Sequence, residues 1–170
     1  MSTAFFFFLS QFAIIAYALV GGVFLAFSDF IMRSLALTGG HGGVEAMQAI
    51  NREVFRWVFM ALFLGMTFVS LAIAGYGAFG LSGPEGTLFM LAGLVYLTGC
   101  FGVTVFFNVP MNEELAGMRM SSNATRDYWL QTYVPRWTFW NSIRTLACAV
   151  SAALLLFGLL LISQNQAHTI

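Results

Sequence analysis

Four apolar runs, at residues 5–27, 54–79, 88–107 and 138–162, decide what this chain can fold into. Each is long enough, at about 1.5 Å per residue, to cross roughly 30 Å of hydrocarbon as a helix. Composition agrees: 59% of residues are hydrophobic, 8% are charged and the mean hydropathy is +0.84, far outside the usage of soluble domains. The expected architecture is all-α and membrane-embedded, a four-transmembrane-helix up-down bundle. No linker or composition shift divides residues 1–170, so one domain is expected. Short interfacial helices are expected in the loop between spans 3 and 4, from "NEELAGM" and "TRDYWLQTYV", the second carrying Tyr128, Trp129 and Tyr133 at headgroup level. The first run lacks a preceding Lys or Arg and a clear cleavage site, so it reads as an anchor rather than a secretory signal.

Charge sets the expected topology. Lys is absent and all seven Arg lie between Arg33 and Arg144, in or beside the loops joining spans 1 to 2 and 3 to 4. The positive-inside bias puts those loops in the cytoplasm, with both termini on the non-cytoplasmic side of an inner (plasma) membrane. A net charge of zero and the lack of a polybasic patch exclude nucleic acid as a partner. Cys100 and Cys148 sit inside apolar runs without metal-ligand spacing, so buried packing is their reading rather than zinc or a disulfide.

The polar residues of the spans are confined to one end of each. Span 1 ends in "AFSDFIM", with Asp29 four residues before Arg33 in the order that favours an ion pair. Span 2 opens with "AMQAINREVFR", expected to run on as one helix, with Gln48, Asn51, Arg52, Phe55 and Arg56 on a single face. Span 3 ends in "VTVFFNVPMNEEL", where Tyr96, Cys100, Thr104 and Asn108 recur at four-residue steps. Span 4 opens with "WTFWNSIRT", with Trp137, Trp140, Asn141, Arg144 and Cys148 on one side. Alternating direction brings these four ends to one membrane surface. Polar groups inside spans turn to the bundle interior, so the expected site is a pocket about 5 to 12 Å below that surface.

Two readings stand side by side. Amides across membrane helices often act as interhelical glue, worth about 0.6 kcal/mol on average, and a terminal Trp or Arg is often an interface anchor. Gathered at matching depth, the same groups form a site. No span holds a His, so a b-type haem is excluded. No Gly-rich dinucleotide fingerprint is present, and Asp29, Glu45, Glu53, Glu113 and His41 lack metal-site spacing. No cofactor and no metal is therefore expected. The remaining chemistry is an oxyanion held by Arg144, Asn141 and Asn108, aromatic walls from Trp137, Trp140 and Phe55, and Asp29 or Glu53 as base.

The four quoted segments resemble the anthrone oxygenase-like family of small four-span membrane proteins, formerly catalogued as a domain of unknown function. The resemblance runs from about Gly21 to Leu156, and "NVPMN" paired with "WNSIR" is its most specific part. By that likeness Gln48, Asn51, Asn108, Pro110, Asn112, Trp140, Asn141 and Arg144 match motif positions. It implies an oxidoreductase that converts a flat apolar anthrone-like aromatic to a quinone with O2 and without a bound cofactor. The expected partners are thus a hydrophobic aromatic or quinone-like small molecule, O2 and the lipid bilayer. The alternative is a non-catalytic subunit or carrier for a quinone- or lipid-like ligand, and a homo-oligomer supported by Gly21 and Gly22 is a further expectation.

Overall fold

The structure, a computed structural model, describes residues 3–39, 41–119 and 122–167. Gly40 and His168 lie outside them. Among the described residues there is no strand, and four helices are long and apolar enough to cross a membrane: Ala4–Ala36, Trp57–Phe79, Pro84–Gly117 and Asn123–Asn165. The expectation of an all-α four-span protein is met.

In finer detail the first span is α1 (Thr3–Ala26), a π-helical turn π1 (Phe27–Ile31) and α2 (Met32–Ala36). A separate amphipathic helix α3 (Gly42–Glu53) precedes the second span, α4 (Trp57–Phe79). The third comprises α5 (Pro84–Tyr96), π2 (Leu97–Gly102), π3 (Thr104–Asn108) and α6 (Val109–Gly117). The fourth comprises α7 (Asn123–Tyr128), π4 (Trp129–Tyr133) and α8 (Val134–Ala167). The expected short helices are α6 and α7, each joined end to end with its span. One expectation fails: α3 does not run into α4. Arg56 is extended (φ −72°, ψ 163°), and the Arg56 Nε to Glu53 Oε2 ion pair of 2.6 Å, exposed on both sides, spans the corner.

Around the bundle α1 packs on α4 and α8, and α5 packs on α4 and α8, so consecutive spans are antiparallel neighbours. An apolar core fills most of its length, from Phe6 through Tyr17, Phe63, Met66 and Phe89 to Leu155. Two tyrosines interrupt its apolar lining. Tyr17 and Tyr96 are fully buried there; Tyr17 Oη lies 2.8 Å from Ser70 Oγ, and Tyr96 donates to the Phe63 carbonyl at 3.0 Å. A second cluster, Met32, Val44, Met47, Leu115, Trp129, Tyr133 and Trp137, closes the end bearing the arginines.

The two ends differ in construction. At the end holding the α4–α5 turn, Gly83 takes a positive φ of 114° and Pro84 starts the helix. Below that turn, Gly77 and Gly93 let α4 and α5 touch backbone to backbone: a Cβ on Gly93 would collide with the Ser70 carbonyl and stand 2.8 Å from Ala74 Cβ. Gly21 likewise faces Cys148 inside the bundle, whereas Gly22 meets nothing within 4 Å. Overpacking a tight contact typically costs about 1–3 kcal/mol. Gly93→Leu should therefore lower unfolding stability in mixed micelles by at least that much, while Gly22→Leu should leave the denaturation midpoint near wild type.

Candidate functional site

Between the two apolar clusters lies a layer of polar groups centred on Arg144. The side chain is buried, 5% exposed, and enters from the second turn of the apolar part of α8. Its Nη2 donates to Asn141 Oδ1 at 2.5 Å and its Nη1 to Thr104 Oγ1 at 3.2 Å. The guanidinium carbon lies 4.1 Å from the centroid of Phe24 and 5.2 Å from that of Trp137, so an aromatic face stands on two sides. No carboxylate pairs with it: among the described residues the ion pair found is Arg56–Glu53. Its Nε–H has no partner.

Asn141, fully buried, ties this charge to span 1. Its Nδ2 donates to the Phe24 carbonyl at 2.5 Å and to Ser28 Oγ at 2.7 Å, and Ser142 donates to the same Ser28 oxygen at 3.0 Å. Nearer the arginine-rich end is a second network. Asn112 Oδ1 accepts from Tyr133 Oη at 2.7 Å and from Trp137 Nε1 at 2.9 Å, and Asn51 Nδ2 donates to Tyr133 Oη at 3.4 Å. Buried Gln48 donates to the Leu115 carbonyl at 2.7 Å, fastening α3 to α6. Asn108, also buried, donates to the Trp137 carbonyl at 3.3 Å and leaves its Oδ1 without a partner. Trp137 joins the two networks, offering its ring to Arg144 and its N–H to Asn112.

The π-helical turns explain why these residues meet. In an α-helix a four-residue step advances about 400°, so a row of such steps drifts by about 40° each time. A π turn takes up one extra residue and resets the drift. Thus π2 and π3 hold Tyr96, Cys100, Thr104 and Asn108 along the bundle interior. In the same way π4 aligns Trp129, Tyr133 and Trp137, whose neighbouring rings stack at 5.2 and 6.3 Å with interplanar angles of 22° and 17°. Ser28 on π1 and the Phe24 carbonyl just before it both accept from Asn141.

Of the residues expected at the site, the fold brings together Arg144, Asn141, Asn108, Gln48, Asn51, Asn112 and Trp137. It does not bring Asp29, Phe55 or Trp140 into contact with Arg144. Asp29 is exposed, and because π1 shifts the helical phase it forms no ion pair with Arg33. Phe55 is 71% exposed, in the corner that ends α3. Trp140 stacks on Phe107 at 3.7 Å and 12°, half-buried on the flank of the bundle. Glu53 is exposed and engaged with Arg56. The layer also takes in Thr104, expected on the inward row of span 3 without a role, Tyr133, expected at headgroup level, and Ser28 and Phe24, which were not expected there; the 129, 133, 137, 141 spacing is the signal for Tyr133. Among the described residues no group of three or more His, Cys, Asp or Glu gathers as a metal site. Two cavities lie apart from Arg144: a recess of about 270 Å³ bounded by Thr38, Gly43, Arg126 and Trp129, and an apolar groove of about 450 Å³ by Phe6, Tyr76 and Phe89 at the opposite end.

A sequence profile described as anthrone oxygenase matches residues 52–154, more than half of the chain. The chain belongs to the anthrone oxygenase family. The matched stretch carries Asn108, Asn112, Trp137, Asn141 and Arg144 and leaves Phe24 and Ser28 outside. No curated protein and no solved structure matches the chain.

Removing one partner of a buried charged hydrogen bond strands the other, at about 1–3 kcal/mol. Asn141→Ala removes one such bond to Arg144 and two neutral ones to Phe24 and Ser28, and should lower stability by at least that amount. Asn51→Ala, which loses one long and partly exposed bond, should cost under about 1 kcal/mol. Reversible denaturant titration of the purified protein checks both.

Proposed function

We propose that this protein is a membrane-embedded oxygenase that converts a flat, apolar, anthrone-like aromatic to the corresponding quinone with O2 and no resident cofactor. The observation that carries this reading is the Arg144 guanidinium. It is buried, flanked by the rings of Phe24 and Trp137, and short of a carboxylate partner among the described residues. A buried cation without a counter-ion is costly unless something anionic visits it, and a delocalised aromatic oxyanion suits both its charge and its planar aromatic surroundings. Family membership supports the reaction class.

The chemistry needs no group beyond these. An anthrone's methylene is weakly acidic; loss of one proton gives an anion whose charge rests on the carbonyl oxygen. Arg144, through Nε–H and its Nη groups, stabilises that oxygen. The anion passes one electron to O2, the resulting radical and superoxide join as a peroxide, and loss of water leaves the new carbonyl. One CH2 and one O2 thus become one C=O and one H2O. Asp29 and Glu53 stand outside the layer, so we assign the buried groups to holding the anion, with its proton leaving to interfacial water or to Asp29.

Oxygen consumption by purified protein given an anthrone tests this. Arg144→Ala should lose about 10²-fold or more in kcat with the fold retained by circular dichroism. Asp29→Asn and Glu53→Gln should each lose under about tenfold, less than general-base catalysis by a positioned side chain supplies. Binding without oxygen uptake in the wild type would instead mark a carrier for quinone-like ligands.

We further place the arginine-bearing end in the cytoplasm and both termini outside an inner membrane, from the distribution of arginines. A C-terminal reporter active only outside the cytoplasm should be active, and a fluorescent protein that matures only inside should be dark.

A further inference from the structure

Mid-bundle, one pair of reactive groups is used by neither network. Cys100 on π2 and Cys148 on α8 are free thiols, both fully buried, with Sγ atoms 3.6 Å apart. The pair lies directly beside the Arg144 contact. Cys100 stands four residues before Thr104, whose hydroxyl accepts from Arg144 and donates to the Cys100 carbonyl at 2.8 Å. Cys148 stands four residues after Arg144, just over one helical turn or about 6 Å along the axis.

The surroundings bring the two helices together at this level. A Cβ on Gly99 would stand 2.8 Å from Ala147 Cβ, and one on Gly21 would stand 2.9 Å from Cys148 Cβ. Beyond the thiols the Tyr17 and Tyr96 rings lie 5.0 Å apart, tilted by 37°. A disulfide has an S–S length of about 2.05 Å, so sulfurs at 3.6 Å close with an approach of about 1.5 Å. A thiol–thiol contact is a weak hydrogen bond, so the pairing itself adds little to stability.

We propose that Cys100 and Cys148 form a redox-active dithiol that delivers two electrons to a quinone seated at Arg144. This rests on the reading of that layer as a site for flat aromatic carbonyl compounds. One sulfur adds to an electrophilic ring carbon and its proton passes to a quinone oxygen. The second sulfur then attacks the first. The S–S bond forms as the C–S bond breaks, its electron pair stays on the ring, and the second thiol proton goes to the other oxygen. Dithiol and quinone become disulfide and hydroquinone, with no further oxidant.

The test uses the full-length protein, reduced, freed of reductant and incubated without oxygen with a short-chain benzoquinone. It is then denatured and labelled with a maleimide for mass spectrometry. The expected result is loss of both labelling sites, a mass lower by two hydrogens, the Cys100 and Cys148 peptides linked within one chain, and one hydroquinone per protein. Arg144→Ala should slow this at least tenfold, and Cys148→Ser should give neither the intrachain disulfide nor hydroquinone. Persistent labelling of both thiols, a stable quinone adduct, or a disulfide only between chains overturns the proposal. Oxygen uptake on an anthrone is measured on the same preparation. Intact uptake with thiols that stay reduced sinks this inference alone, whereas dithiol oxidation without uptake sinks the oxygenase reading and supports this one.

Discussion

A single positive charge held away from water organises this fold. The guanidinium of Arg144 sits between two aromatic faces and is bonded to a carboxamide and a hydroxyl, none of which cancels its charge. Removing such a group from water is expensive, and neutral dipoles repay only part of that. The nearby polar side chains are arranged in consequence. Asn141 turns its oxygen to the arginine because its amide hydrogens are taken by Phe24 and Ser28. Thr104 presents its oxygen to the guanidinium because its own hydrogen goes back to the Cys100 carbonyl. Each dipole is thus oriented before any ligand arrives, which is what electrostatic stabilisation of a developing anion requires.

Keeping those dipoles in line across three spans is a matter of helical phase. An uninterrupted α-helix would rotate Thr104 and Asn108 progressively away from α8 and would part Tyr133 from Trp137. All four π turns of the described chain fall in the half of the bundle that holds the polar layer, and α4, which contributes no polar group to it, has none. Such turns are weaker than regular helix and are frequent at functional sites. The inward-facing rows they create are the structural return for that weakness.

How far the sequence could be read depends on the scale of each interaction. The number of spans and their alternation follow from hydropathy and length, which act over about 20 residues and tolerate local irregularity. The convergence of Asn108, Asn141 and Arg144 follows from the same alternation. Finer placement failed where one residue of phase mattered. Asp29 next to Ser28 looked equally able to face inward, yet π1 turns one to Asn141 and the other to solvent. Phe55 shared a face with Gln48 only if α3 continued, and the corner at Val54–Arg56 ended that relation. Tyr133 was read as a headgroup anchor because its π turn has no sequence signature, although its hydroxyl links Asn51 to Asn112. The thiol pair, 48 positions apart, depends on the register of two helices across the bundle and was invisible to spacing.

The contrast between the ends of the bundle has a mechanical consequence. Where Gly77 and Gly93 seat α4 against α5, the backbones have no side-chain cushion to compress. At the other end the spans are linked through amides, hydroxyls and the detached helix α3, which leans on α6 through Gln48. Such a construction resembles a clothes-peg: were the proposed planar guest to enter, the glycine seam would serve as fulcrum and the segments around Arg144 as jaws.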